Sequence, residues 1–211
     1  CTSQYCFKSI SFYNNYIYFI LFYFSEYINS NCFKNKRNLM KLIKTNLKIS
    51  NSTNDEAIKR IKKGKNNGII ITQIQKRGRG RYGKKWISIK GNLFMSIFFE
   101  IKEKSLLKKI TKDNCHLVKK SLSNLVKYKI SIKPPNDLLI MGKKVCGILQ
   151  ETITYSKKKF IIIGIGVNIK KNPFIRNYPT TNLNKHAYTK LNRNIVFTNI
   201  RKTFEKKIGK I

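Results

Sequence analysis

The sequence predicts an α+β fold in which strands come in clusters with helices between them. Three observations carry this expectation. Short β-rich apolar runs are grouped and separated by turn residues. Other stretches repeat their apolar positions at helical spacing. Strand and helix do not alternate regularly, as a doubly wound parallel sheet would require. Composition agrees that the chain folds: 41% of its 211 residues are hydrophobic and 12% aromatic, too many for a disordered basic tail. A chain of this size suits a single domain, with or without a tail, and buries a core without disulfide staples.

Thr53-Asn54-Asp55-Glu56 fits a Thr-x-x-Glu capping box, and Ala57, Ile58 and Ile61 follow at helical spacing until Gly64 and Gly68 end the element. The run 69–75 reads as a buried strand. The β-rich runs 86–89 and 93–101 flank Gly91-Asn92, which predicts a hairpin or two adjacent strands. A longer helix over about 107–127 carries Leu117, Val118, Leu122, Leu125 and Val126 on its apolar face. Strands are expected at 129–132, 138–140 and 145–154, the last after the turn Met141-Gly142-Lys143, and again at 160–169. The span 195–208 closes the chain as a helix.

Residues 1–39 differ in character. Their run 16–24, YIYFILFYF, is too short to span a bilayer. Extended over 10–27 it imitates a leader or anchor, but Lys8 is the only charge before it and no small-residue cleavage site follows. Since Met40 is the first methionine, 1–39 is expected to be a non-native upstream extension, with an apolar leader as the alternative; 40–211 is the functional domain.

With 45 Lys+Arg against 9 Asp+Glu the formal charge is +36, which raises nucleic-acid binding as a reading. Only eight of those cations are Arg, and Lys, Asn and Ile saturate the chain from end to end. A compositional bias with a solvated Lys-rich surface explains the charge better. Cys1, Cys6, Cys32, Cys115 and Cys146 form no CxxC pair, so neither a zinc site nor a disulfide framework is expected. Cys115 and His116 are chain neighbours, which does not make a dyad; both read as core or boundary residues of a helix.

The segment richest in chemistry is 75–86, Gln-Lys-Arg-Gly-Arg-Gly-Arg-Tyr-Gly-Lys-Lys-Trp, where glycines and cations interleave directly after a strand. Glycine lets the backbone approach a ligand and turn its N–H groups on an anion, and Arg79 and Arg81 add planar donors for phosphate or carboxylate. Gly78, Gly80 and Gly83 also satisfy GxGxxG, but a dinucleotide fingerprint must open a helix, and a β-rich run follows here. No P-loop is present. A Gly- and Arg-rich loop without apolar anchors is expected to order mainly on binding its ligand.

Lys133-Pro134-Pro135-Asn136-Asp137 holds a lysine at a strand end with its direction restricted by proline, placed to neutralise charge on a reacting phosphoryl or carboxyl group. Asn136 and Asp137 offer oxygens to Mg²⁺ or a nucleotide hydroxyl. Lys144 to Glu151 and Ile163 to Asn168 place glycines inside apolar strands, which suggests the floor of a ligand pocket.

In this order the segments resemble the biotin protein ligase family. The pattern runs Ser52-Thr53-Asn54, Gln75-x-x-Gly78-Arg79-Gly80-Arg81-x-Gly83-x-x-Trp86, Gly91-Asn92-Leu93, Lys133-x-Pro135-Asn136-Asp137-Leu138, Lys144-x-x-Gly147-Ile148-Leu149-x-Glu151 and Gly164-Ile165-Gly166-Val167-Asn168. The resemblance covers about 42–208. It implies a mixed, largely antiparallel sheet covered by helices, the biotin/lipoate ligase catalytic domain, distantly akin to class II aminoacyl-tRNA synthetases. It implies a cytoplasmic enzyme that uses ATP and Mg²⁺ to form biotinyl-5'-AMP from biotin. The biotinyl group then passes to a lysine of the biotin carboxyl carrier protein of acetyl-CoA carboxylase.

By the same resemblance Lys133 and Arg81 are the catalytic residues, Lys133 beside the biotin carboxylate and α-phosphate, Arg81 retaining the intermediate. Biotin is bound by Ser52, Thr53, Asn54, Gln75, Arg79, Gly80, Arg81, Lys133 and Gly147. The nucleotide side takes Gly78, Arg79, Arg81, Lys84, Trp86, Asn136 and Asn168, with Trp86 near the adenine. The sequence departs from the pattern at Pro134, where the family usually has Trp and an aromatic wall is lost. A DNA-binding helix-turn-helix before the domain and a small SH3-like C-terminal domain after it are expected to be absent, and no DNA partner is expected. No membrane partner is expected unless 1–39 is genuine, and a homodimer is left open. The alternatives are a lipoate or octanoate ligase of the same superfamily and a basic nucleic-acid-binding protein.

Overall fold

The structure is a computed structural model in which residues 41–102 and 104–209 are described, so the expectations for 1–39 lie outside them. Among these residues seven strands form one sheet: β1 (Lys44–Ser50), β2 (Asn67–Gln75), β3 (Leu93–Ile101), β4 (Ile130–Lys133), β5 (Asp137–Ile140), β6 (Lys143–Tyr155) and β7 (Lys158–Val167). Their order across the sheet is β1-β2-β3-β7-β6-β5-β4. Only β1 and β2 run parallel, joined by the helix α1 (Thr53–Lys62); every other neighbouring pair is antiparallel. With α2 (Lys104–Ser123) and α3 (Arg193–Ile208) this is the α+β fold expected of the sequence, a mixed and largely antiparallel sheet covered by helices.

The pleat divides each central strand between two cores. On one face Ile70, Phe98, Phe160 and Ile162 pack against Ala57 and Ile61 of α1. On the other, Met95, Ile97, Ile163 and Ile165 pack with Val118 and Leu122 of α2 and Val196, Ile200 and Phe204 of α3. Each such side chain contributes roughly 1.5–3 kcal/mol of burial, so both helix layers are held firmly to the sheet.

Four elements differ from the sequence expectation. Strand β1 was not expected: KTNLKIS is polar because it is an edge strand, with Lys44 and Lys48 blunting the open edge. The run 86–89 is not a strand. Lys85 bridges Arg79, and the Trp86 N–H donates to the Gly78 carbonyl at 2.9 Å, so the segment closes the loop on itself. Helix α2 ends at Ser123, before Leu125 and Val126; these enter the core from a turn whose backbone pairs with 186–188, Lys127 N–H donating to the His186 carbonyl at 2.7 Å. The helix cap of α1 is Ser52, and no side chain caps it; Thr53 is already helical and its hydroxyl is used elsewhere.

Gly91-Asn92 has a structural task. Asn92 is fully buried, its Oδ1 accepts the N–H groups of Ile169, Lys170 and Lys171 at 2.9, 3.1 and 3.3 Å, and its Nδ2 donates to the Lys171 carbonyl at 2.8 Å. It ties the chain leaving β7 to the entry of β3.

Candidate active site

Helix α1 covers β2, β3 and β7 only in part. Beyond its N-terminus the same sheet face, made by Gly147 and Leu149 of β6 opposite Gly166 and Gly164 of β7, is left to loops. The loop after β2, the β4–β5 turn and the segment 173–180 enclose there a cavity of about 690 Å³. Ser52, Thr53, Asn54, Gln75, Arg79, Gly80, Arg81, Lys84, Trp86, Lys133, Asn136, Gly147 and Asn168 all border it. Of the predicted residues Gly78 does not; it is buried at the base of the loop, where a Cβ would lie 2.9 Å from both Gln75 Nε2 and the Trp86 carbonyl.

A polar network fixes the start of α1. Gln75 Oε1 accepts the Thr53 N–H at 2.9 Å and the Thr53 hydroxyl at 3.1 Å. Ser96 Oγ lies 2.7 Å from Thr53 Oγ1 and 2.5 Å from Asn54 Oδ1, and its single proton serves one of them at a time. Asn54 Nδ2 donates to Glu151 Oε2 at 2.5 Å. Glu151 in turn takes the fork of Arg79, with NH2 donating to Oε2 at 2.9 Å, while Arg79 NH1 donates to Asp55 Oδ1 at 2.7 Å. Burial works against the Arg79 charge, but its hydrogen bonds to Glu151 and Asp55 outweigh that and raise its pKa.

This changes the reading of several predicted residues. The Arg79 guanidinium is held by two carboxylates in this structure and gives a loop without apolar anchors a polar one. The glycines of β6 and β7 border the cavity, as expected of its floor, and also leave room for side chains that pack on it. A Cβ on Gly147 would come 2.6 Å from Trp86 Cζ3, and one on Gly166 would come 2.5 Å from Trp86 Cε2, so these glycines make a slot for the indole. A Cβ on Gly164 would meet Asn54 Oδ1 at 2.5 Å. Asn136 Nδ2 donates to the Ile148 carbonyl and its own carbonyl accepts the Ile148 N–H, both at 2.9 Å, which clamps the β4–β5 turn to β6.

Asp137, offered by the sequence as a metal oxygen, is also committed. Lys144 Nζ lies 2.8 Å from its Oδ1 and the Tyr178 hydroxyl donates to its Oδ2 at 2.7 Å. Tyr178, Lys144 and Ser96 were missed as site residues. Ser96 left a signal, as one fully buried hydroxyl in the apolar run LFMSIFFEI; Tyr178 lies in a polar stretch without periodicity and left none.

Lys133 and Arg81 are among the cleft's cations, with Lys84, Lys85 and Arg176, that have no carboxylate within ion-pair distance among the described residues, unlike Arg79 and Lys144. Arg81 NH2 donates to the Tyr82 hydroxyl at 2.9 Å. Three buried atoms at the cleft, Trp86 Nε1, Asn168 Oδ1 and Asp137 Oδ1, have no hydrogen-bond partner among the described residues, the last being held only as the ion-pair partner of Lys144. Burial raises the pKa of the Cys115 and Cys146 thiols, which suits core residues and not nucleophiles. Among the described residues no group of three or more His, Cys, Asp and Glu side chains could hold a metal ion, and no helix is long and apolar enough to cross a membrane.

Residues 46–168, more than half of the chain, match the Biotin/lipoate A/B protein ligase family. The bifunctional ligase/repressor BirA of Escherichia coli (strain K12) is 33% identical over 132 residues, which are 58% of this chain and 39% of that protein. The chain thus spans about two fifths of the length of that relative. The structure of biotin protein ligase from Aquifex aeolicus in complex with biotin and ATP matches with a TM-score of 0.65 at 27% identity, covering 80% of this chain and 70% of that one. Biotin protein ligase from Leishmania major in complex with biotinyl-5-AMP matches with a TM-score of 0.70 at 23% identity, a likeness of fold covering 80% and 75%. A family match of that extent, on a sheet of the same architecture, establishes that the chain belongs to the biotin/lipoate A/B protein ligase family.

Proposed function

We propose that the protein is an ATP-dependent biotin ligase. In the first step a biotin carboxylate oxygen attacks the α-phosphorus of ATP, pyrophosphate leaves, and biotinyl-5'-AMP forms. In the second, the ε-amine of a lysine on a biotin carboxyl carrier protein attacks the acyl carbon and AMP leaves. The observation that carries this reading is that Lys133 and Arg81, free of carboxylates, border the same cleft as the polar network of Thr53, Asn54 and Gln75. Two anions must meet in the first step, and preorganised cations lower that cost more than mobile ones in water would.

In this reading Lys133 lies between carboxylate and α-phosphate, and Ser52, Thr53, Asn54 and Gln75 face the ureido head of biotin. Arg79 contributes backbone and loop position, and Gly80, Arg81 and Lys84 close over the adenylate. Gly147 acts by seating Trp86 beside the ligand. Trp86 Nε1 and Asn168 Oδ1, a donor and an acceptor already desolvated, suit a partner on the nucleotide. Mg²⁺ fits as an ion that arrives on the ATP phosphates and screens their charge, with the buried Asn168 Oδ1 as an oxygen offered on that side of the cleft. We place the reaction in the cytoplasm. The likeness to biotin protein ligase from Aquifex aeolicus, together with the Gly-Arg-Gly-Arg loop, favours biotin over lipoate or octanoate.

The test is labelling of a biotin carboxyl carrier domain by the full chain with Mg-ATP, offering biotin, lipoate and octanoate in parallel. Labelling with biotin, and not with the other two, is expected. Labelling with lipoate or octanoate but not biotin would overturn the assignment.

A further inference from the structure

Lys133 sits at the exposed end of β4 opposite Asp137 of β5, but the Asp137 carboxylate is taken by Lys144 and makes no ion pair with the Lys133 ammonium. What it meets is the face of Tyr178, with Nζ 4.5 Å from the ring centroid. That ring is itself fixed. Its hydroxyl donates to Asp137 Oδ2 at 2.7 Å, and Asp137 is paired at 2.8 Å with Lys144, whose Nζ lies 5.4 Å from the same ring. Burial and the bond to the Asp137 carboxylate raise the pKa of Tyr178, so the hydroxyl keeps its proton and the tether.

The chemistry of this contact differs from that of an ion pair. A ring quadrupole attracts a cation within about 6 Å without cancelling its charge. Lys144, by contrast, is neutralised by Asp137 and serves the tether. A cation that has to draw two anions together needs a fixed position and an undiminished charge, and Tyr178 supplies the first while preserving the second.

We propose that Tyr178 is the positioning residue for Lys133: its face holds the lysine ammonium at the cleft, and the Tyr178–Asp137–Lys144 chain holds the face. The inference deepens the ligase reading and rests on it for its catalytic consequence. The hold on Lys133 is measurable without catalysis.

Two readouts separate these. Competitive acylation of lysines with acetic anhydride, resolved by mass spectrometry of the digested protein, reports how freely the Lys133 amine reacts. Biotin-dependent pyrophosphate release reports kcat and KM for the first step. Tyr178→Leu should raise Lys133 acylation about threefold or more and lower kcat about tenfold, with KM for biotin changed less than about threefold. Tyr178→Phe keeps the ring and should recover most of both losses. Added to Lys133→Ala, Tyr178→Leu should cost nothing further in kcat.

Unchanged Lys133 acylation in Tyr178→Leu would overturn the proposal, as would a full Tyr178→Leu loss that persists when Lys133 is absent. Equal damage from Phe and Leu would assign the effect to the Asp137 tether and overturn the role of the ring. If the unaltered protein releases no pyrophosphate with biotin, the ligase reading fails, while the acylation ratio still decides whether Tyr178 holds Lys133.

Discussion

Trp86 is the chain's single tryptophan, and its indole lies in a slot that exists only because β6 and β7 carry glycine where they pair, Gly147 against Gly166. Its position is therefore readable by fluorescence. Gly166→Ala would place a methyl 2.5 Å from the indole, so the ring must leave the slot; emission should shift to the red, and kcat/KM for biotin adenylation should fall about tenfold or more. An unshifted spectrum would mean the slot yields and the ring does not. Lys133→Ala should lower adenylation by about a hundredfold or more while leaving the thermal midpoint within a few degrees, since an exposed lysine holds no core together; pyrophosphate release and a melting curve check it. Residues such as Lys133, Gln75 and Trp86 were legible in the sequence because turn formers and glycines frame them at recognisable spacings. What they do was less legible. Arg79 read as an anion donor because a sequence does not show that Asp55 and Glu151 converge on it from different elements. Tyr178 was invisible, since only the tertiary fold brings it to Lys133.

Most elements could be placed from local pattern, because β3, β7 and the first half of β6 carry long buried apolar runs and α1 is amphipathic. The failures share a cause, which is that a nonlocal partner decided the local conformation. Strand β1 is polar and forms because β2 offers its edge after the α1 crossover. The β-rich residues after Trp86 stay irregular because the loop pairs with its own base at Gly78. Asn92 shows the same dependence in a favourable form, since one amide satisfies three N–H groups at the exit of β7. Asn92→Ala leaves those donors, the buried Ile169 N–H among them, without their acceptor and should lower stability by about 2 kcal/mol. Urea denaturation would show it as a lower midpoint at unchanged slope, and Asn92→Asp, which retains the acceptor oxygens, should lose less.

At the scale of the whole molecule charge is abundant, but among the described residues few groups tie stability to pH near neutrality. His186 is one: burial first, and then Lys185 and Lys143, lower its pKa below the usual 6.5. The folded protein keeps this ring neutral while the unfolded chain takes up a proton, so the contribution is complete above about 6.5 and is lost as pH falls through that value toward the folded pKa. The denaturant midpoint should drop between about pH 7.5 and 5.5, and His186→Gln should flatten that part of the curve; an equally steep drop in the variant would place the effect elsewhere. The arrangement of β6 and β7 also limits how such a protein can change in length. Ile148 and Ile165 face the helical core, while their neighbours Gly147, Leu149, Gly164 and Gly166 face the cleft, in a register shared by both strands. Inserting or deleting one residue in either strand would exchange the two sets at once, sending isoleucines into the binding face and glycines into the core. Gains and losses of sequence should therefore be tolerated better in the connecting loops than in this pair, whose length sets which side chains the cleft receives.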